Sequence, residues 1–116
     1  MFETSVVVVG AGPTGLLLAN FLGQSGVSVL LLDKNSSVSQ HPKAILIDDE
    51  ALRSLQALGL SEKVSELCVM GYGARYFNEE GDCFAKVEAC VGEFGYPKRN
   101  SFLQPDLEKI LEENLA

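Results

Sequence analysis

The chain has no tryptophan, one histidine and only three cysteines among its 116 residues. Each scarcity removes a class of function. Cys68, Cys83 and Cys90 are odd in number and form no C-x-x-C pair, so neither a disulfide framework nor a zinc site is expected. A reducing, cytoplasmic compartment suits them. Cations are also few: nine Lys and Arg stand against sixteen Asp and Glu, for a net charge of −7. That balance argues against a nucleic-acid partner, which needs clustered Lys and Arg, and against docking on an anionic membrane surface. No uninterrupted apolar stretch is long enough to span a bilayer. The opening Met-Phe-Glu-Thr-Ser lacks a basic region, and the apolar run that follows breaks at Gly10, so no signal peptide is read. Nothing in the sequence marks His41 as a nucleophile's base or a metal ligand; it is read as a loop histidine, with a phosphate contact as the alternative because it adjoins the Lys43 segment. No repeat, low-complexity segment or linker divides residues 1–116, which form one domain of α/β class.

What is present is concentrated near the start. Ser5–Val9 is a continuous β-branched run, expected as a strand buried on both faces. Gly10, Gly12 and Gly15 follow in the spacing G-x-G-x-x-G. Thr14–Gln24 reads as a helix that is apolar nearly all round, and Gly26 ends it. Val27–Leu32 is a second short apolar strand ending at Asp33. Residues 5–33 therefore form a Rossmann-like β-α-β unit with parallel strands and a right-handed crossover.

The glycines meet specific physical demands. The first makes the tight strand-to-helix turn, the second lets backbone approach a pyrophosphate, and the third lets helix and strand pack closely. The helix N-terminus offers unpaired N–H groups and partial positive charge to the phosphates. An acid is expected about 20 residues on, at the end of the second strand. Asp33 lies eighteen residues after Gly15. Its carboxylate suits ribose hydroxyls and repels a 2′-phosphate, which favours FAD or NAD over NADP at this site. Glycine spacing alone does not separate FAD from NAD.

The remainder adds helices and a hairpin. Lys34–Lys43 is a Ser-rich polar loop. Asp48 or Asp49 caps a helix to about Leu58, closed by Gly59, and Ser61 caps a short helix to about Leu67. Tyr72–Asn78 and Cys83–Glu88 flank Glu-Glu-Gly-Asp as a β-hairpin, whose Gly81-Asp82 is turn chemistry. Arg75, Tyr76 and Phe77 belong to its packing and polar face. Gly92–Asn100 is a loop. Gln104 precedes Pro105, a favoured first helical residue, and the helix to about Leu115 buries Leu107, Ile110 and Leu111. Glu108, Glu112 and Glu113 read as its solvated face. Arg53 falls within a helix and is assigned no cofactor role.

Three segments in order, "GAGPTGLLLANFLGQSGVSVLLLDK", "HPKAILIDDEALRSLQALGL" and "FLQPDLEKIL", resemble the N-terminal part of class A flavoprotein monooxygenases. The nearest branch is that of 3-(3-hydroxyphenyl)propionate hydroxylase and phenol hydroxylase-like enzymes. The resemblance implies FAD as cofactor, NADPH or NADH as reductant, molecular oxygen as oxidant and a phenolic aromatic substrate. It assigns the pyrophosphate to Gly10, Gly12 and Gly15, with the neighbouring Pro13 and Thr14, and the adenosine ribose to Asp33, beside Lys34. Lys43 stands where the family has an arginine near the FAD phosphate and ribityl region. Lysine is a point charge on a flexible stem rather than a planar fork, so that position departs from the pattern. Gln104 matches a family glutamine that contacts the ribityl chain. No catalytic residue is assigned.

Two later family segments that complete the flavin site, one bearing Asp-Gly and one Gly-Asp, have no counterpart here. The chain is expected to be an incomplete FAD-binding domain, inactive alone. The alternative is a non-catalytic module holding an adenine dinucleotide or ADP. An NAD-linked dehydrogenase would leave the second and third segments unexplained.

Overall fold

The computed structural model describes residues 3–38 and 40–115; Met1, Phe2, Ser39 and Ala116 lie outside the described residues. The chain divides into two compact units. One comprises the residues up to Ala44 together with those from Leu103 onward, and the other is Ile45–Phe102.

The first unit holds the expected β-α-β element. Strand β1 (Val6–Val9), helix α1 (Pro13–Gln24) and strand β2 (Val29–Leu32) follow in order. The strands pair in parallel, Val6 opposite Val29 through Val9 opposite Leu32. Burial along β1 alternates: Val8 is buried, whereas Val7 and Val9 are exposed. Leu30 and Leu32 of β2 are exposed as well. The expectation of burial on both faces is therefore corrected, because within this unit helix packing covers one face of a two-stranded sheet and period-2 side chains then alternate. Helix α1 is not buried all round either. Leu16, Ala19 and Asn20 are buried, and Leu18 is exposed.

The C-terminal helix of the chain completes this unit. It spans Gln104–Leu115 and starts one residue before the expected Pro105. The Leu103 carbonyl accepts from the Leu107 N–H at 3.3 Å, which draws Gln104 into the first turn. Asn20, the polar exception on α1, ties the two helices together. Its Nδ2 donates to the Leu16 carbonyl at 2.8 Å and to the Leu111 carbonyl at 2.9 Å, and its Oδ1 accepts from Asn114 at 2.7 Å. A buried amide with both ends satisfied fixes the pairing of two apolar faces.

In the second unit, β3 (Leu46–Ile47) pairs antiparallel with β6 (Asn100–Ser101). Neither short strand is expected from the sequence, since two residues show no periodicity. Helix α2 (Asp49–Ala57) is capped by Asp48, whose side chain accepts from the Ala51 N–H at 2.8 Å. Gly59, at φ 74°, ends it as expected. Helix α3 (Ser61–Ser65) has Leu60 at its N-cap, so Ser61 is a first-turn residue rather than the cap. Strands β4 (Ala74–Phe77) and β5 (Cys83–Val87) form the expected hairpin with an irregularity between Tyr76 and Phe77. Ile47, Leu52, Leu55, Leu60, Val64 and Phe102 are the buried apolar residues of this unit. With this numbering the C-terminal helix is α4.

Candidate cofactor site

The turn from β1 to α1 is built as the glycine spacing requires. Gly10 has φ 106°, a conformation L side chains rarely adopt, and its N–H donates to the Leu32 carbonyl at 2.7 Å. A Cβ on Gly15 would collide with the Gly10 carbonyl oxygen, so the third glycine is required for helix and turn to touch. Gly12 differs. A Cβ there would meet nothing within 4 Å. The protein leaves open space beside this backbone, as close approach by a ligand demands. Gly12 is also the N-cap of α1 and provides no side-chain cap, so the first-turn N–H groups keep their outward donors.

Asp33 closes the end of β2. Its Oδ2 accepts from the Ala11 N–H and its Oδ1 from the Asn35 N–H, each at 2.7 Å. These backbone donors, that of Asn35 first and that of Ala11 next, hold its pKa below the ordinary carboxylate value. Each oxygen retains a lone pair for a ligand hydroxyl. The carboxylate is thus charged and fixed in direction by the glycine turn itself. Sequence spacing places the acid at the correct distance but does not reveal that it braces Ala11.

A cavity of about 270 Å³ opens beside these groups, with Gly12, Asp33, Lys34, Lys43, Gln104 and Glu108 on its wall. That volume is near the low end of small-molecule sites. Five of the residues singled out from the sequence therefore meet in one place: Gly12, Asp33, Lys34, Lys43 and Gln104. The other four do not line this cavity. Gly10 borders an adjoining apolar hollow with Val9, Leu32, Asp33 and Lys34. Pro13, Thr14 and Gly15 form the first turn of α1. His41 lies in the loop, exposed.

The far wall corrects one expectation. Glu108 is not on a solvated face; it is 2% exposed, while Glu112 and Glu113 are exposed. Gln104 is also buried, and its Nε2 donates to Glu108 Oε1 at 2.6 Å. Its Oε1 accepts from the Lys43 N–H at 3.1 Å and the Ala44 N–H at 2.9 Å. Gln104, Leu107, Glu108 and Leu111 follow i, i+3, i+4, i+7, which puts Glu108 on the apolar stripe of α4. That spacing was the available signal for its burial.

Comparison with known proteins agrees with this geometry. The profile of the FAD binding domain family matches residues 3–116. The chain belongs to that family. It is 42% identical over 114 residues to the 3-(3-hydroxy-phenyl)propionate/3-hydroxycinnamic acid hydroxylases of Escherichia coli and Shigella sonnei, covering 98% of this chain and 21% of theirs. It thus spans about one fifth of the length of these curated relatives. Among solved structures, p-nitrophenol 4-monooxygenase PnpA from Pseudomonas putida DLL-E4 superposes with a TM-score of 0.85 at 32% identity, over 98% of this chain and 29% of that one. The flavin-dependent monooxygenase PieE shares the fold, with a TM-score of 0.78 at 23% identity, over 98% of this chain and 22% of its own. Both of these solved relatives are monooxygenases by name, PieE a flavin-dependent one in complex with FAD, and FAD is the cofactor of the family domain. Among the described residues, no helix is long and apolar enough to cross a membrane.

Proposed function

We propose that this chain holds the adenosine and pyrophosphate end of FAD, as part of a flavin-dependent monooxygenase that hydroxylates a phenolic substrate using NADPH or NADH and oxygen. The observation that carries the reading is the open space beside Gly12 on the same cavity as the oriented Asp33 carboxylate. Gly10, Gly12 and Gly15 shape the turn, Pro13 sets its backbone angle without an N–H of its own, the N–H groups of Thr14 and Gly15 face the pyrophosphate, and Thr14 adds a hydroxyl to that turn. Asp33 accepts from the ribose hydroxyls. Lys34 and Lys43 supply positive charge beside the phosphates, and Gln104 frames the ribityl side.

Bound flavin supplies the redox chemistry and oxygen activation; the protein binds, orients and shields it. This chain's share is binding, and no residue of it is assigned to proton transfer or to the aromatic substrate. Its three unpaired cysteines support a reducing, cytoplasmic setting.

Calorimetric and fluorescence titration of the purified chain tests the reading. FAD and ADP are expected to bind, and NAD to bind more weakly. Absence of binding by both FAD and ADP removes the proposal. The volume of the cavity, enough for part of a dinucleotide, favours one second reading: a module that holds ADP or an adenine dinucleotide without catalysis. Equal affinity for ADP and FAD, with no yellow protein on purification, selects it.

A further inference from the structure

Glu108 has no assigned role, yet it is a fully buried carboxylate on the wall of the cofactor cavity. We infer that Glu108 is a positioning residue: it fixes the Gln104 amide in the one orientation that lets Gln104 hold the backbone of Lys43 and Ala44 at the cavity.

The chemistry of the three groups leaves one solution. A carboxylate accepts and does not donate, whereas backbone N–H groups donate and do not accept. Gln104 lies between them. Its amide nitrogen points to Glu108 at 2.6 Å, and its amide oxygen takes both N–H groups, at 3.1 and 2.9 Å. Rotating the amide by half a turn sets nitrogen against two donors and oxygen against a carboxylate. All three hydrogen bonds are lost together, and the Glu108 end is buried, where water does not replace a lost partner freely, while the two at Lys43 and Ala44 are part-buried.

The consequence reaches 61 residues back along the chain, from Gln104 to Lys43. The polar loop that begins after Asp33 is pinned at its far end by this amide. Lys43 is exposed and reaches the cavity from a fixed backbone position, not from a free loop. Gln104 accordingly acts through its hold on the loop, with Glu108 setting its direction. The effect on cofactor affinity rests on the FAD reading above; the orientation lock does not.

Inverting the polarity of the pair tests it. Gln104→Glu sets two carboxylates against each other and breaks the lock. Gln104→Glu combined with Glu108→Gln restores it, because the new carboxylate accepts from the Lys43 and Ala44 N–H groups and from the new amide at position 108. Amide hydrogen exchange of Lys43 and Ala44 is followed by NMR on the full chain, with FAD titrated in parallel by calorimetry. In the single variant both amides are expected to exchange about tenfold faster and FAD to bind about tenfold more weakly. In the double variant both quantities return to within about threefold of the starting protein.

Slow exchange at both amides in Gln104→Glu, or a double variant as fast as the single, overturns the inference. So does unprotected exchange at these amides before any substitution. If the single variant does not fold, a folded double variant with slow exchange supports the lock, and an unfolded one overturns it. Failure of the unsubstituted chain to bind FAD removes the cofactor reading alone and leaves the exchange rates to decide on Glu108.

Discussion

The cavity has two walls built on different principles. On the glycine wall the contacts are backbone: the Gly10 turn, the open flank of Gly12 and the N–H groups of Ala11 and Asn35 on Asp33. On the α4 wall they are side chains, with the Gln104 amide held between Glu108 and the amides of residues 43 and 44. A backbone wall depends on where a Cβ is absent. A side-chain wall depends on which atom donates. The first is broken by adding volume and the second by reversing polarity.

The largest effect is expected at Gly15. Gly15→Val drives a side chain into the Gly10 carbonyl oxygen, where backbone has no room to yield. Destabilisation of about 3 kcal/mol or more is expected, at or beyond the upper end for overpacked sites. Urea denaturation measures it, and a loss below about 1 kcal/mol shows that the turn is not packed on the helix.

Gly12→Val separates fold from function on the same wall. The Cβ it adds meets nothing within 4 Å, so stability is expected to change by less than about 1 kcal/mol. On the proposed reading the added atoms occupy the approach of the pyrophosphate, and FAD and ADP affinities are expected to fall by at least about tenfold. Full retention of affinity in calorimetry removes the phosphate from this turn. The pair of glycines then separates by experiment the packing role from the ligand role that the motif gives them.

Asp33→Ala removes the carboxylate proposed to meet the ribose and also frees the Ala11 N–H. A loss of roughly tenfold in ADP affinity is expected, from unmet hydrogen bonds. Its titration adds a second measurement. The backbone donors lower its folded-state pKa from the ordinary value. The stabilisation is therefore complete above the unfolded value of about 3.9 and is lost as pH falls through the lower folded value. ADP affinity should show no Asp33 titration between about pH 5 and 8. A titration in that range that disappears in Asp33→Ala shows that the donors do not hold the charge.

The glycine wall was legible because its rule is local. Strand, turn, helix and acid follow within 33 residues, each fixed by φ, by sterics or by spacing. Strand β1 misled only in depth, since its period-2 alternation depends on how many faces are covered, not on its own residues. Glu108 was misread because it was grouped by charge with Glu112 and Glu113. The helical period sets it with Gln104, Leu107 and Leu111 instead. Asn20 was hidden in the same way within an apolar helix. Partners such as Leu111 for Asn20 and Lys43 for Gln104 are far apart in sequence, and pairing over such distances leaves no periodic trace. Strands β3 and β6, two residues each, are formed by the partner rather than by propensity.

The smallest effect joins the two walls. Lys43 is held by its backbone N–H, so substitution of its side chain leaves the Gln104 bond in place. Lys43→Arg changes only what reaches the cavity. A guanidinium presents a planar fork to a phosphate, where an ammonium presents one point charge. With the backbone already fixed by Gln104, little further ordering opposes the gain. FAD affinity should rise by about two- to fivefold, with ADP rising in parallel if the contact is to the phosphates. A rise for FAD but not ADP moves the contact toward the ribityl side. No change in either, with Gln104 intact, leaves Lys43 as a solvated side chain on an ordered loop. The same substitution made in Gln104→Glu should gain less, because a guanidinium on an unpinned backbone must be ordered before it binds. That difference measures how far the α4 wall prepares the loop for the cofactor proposed to sit on the glycine wall.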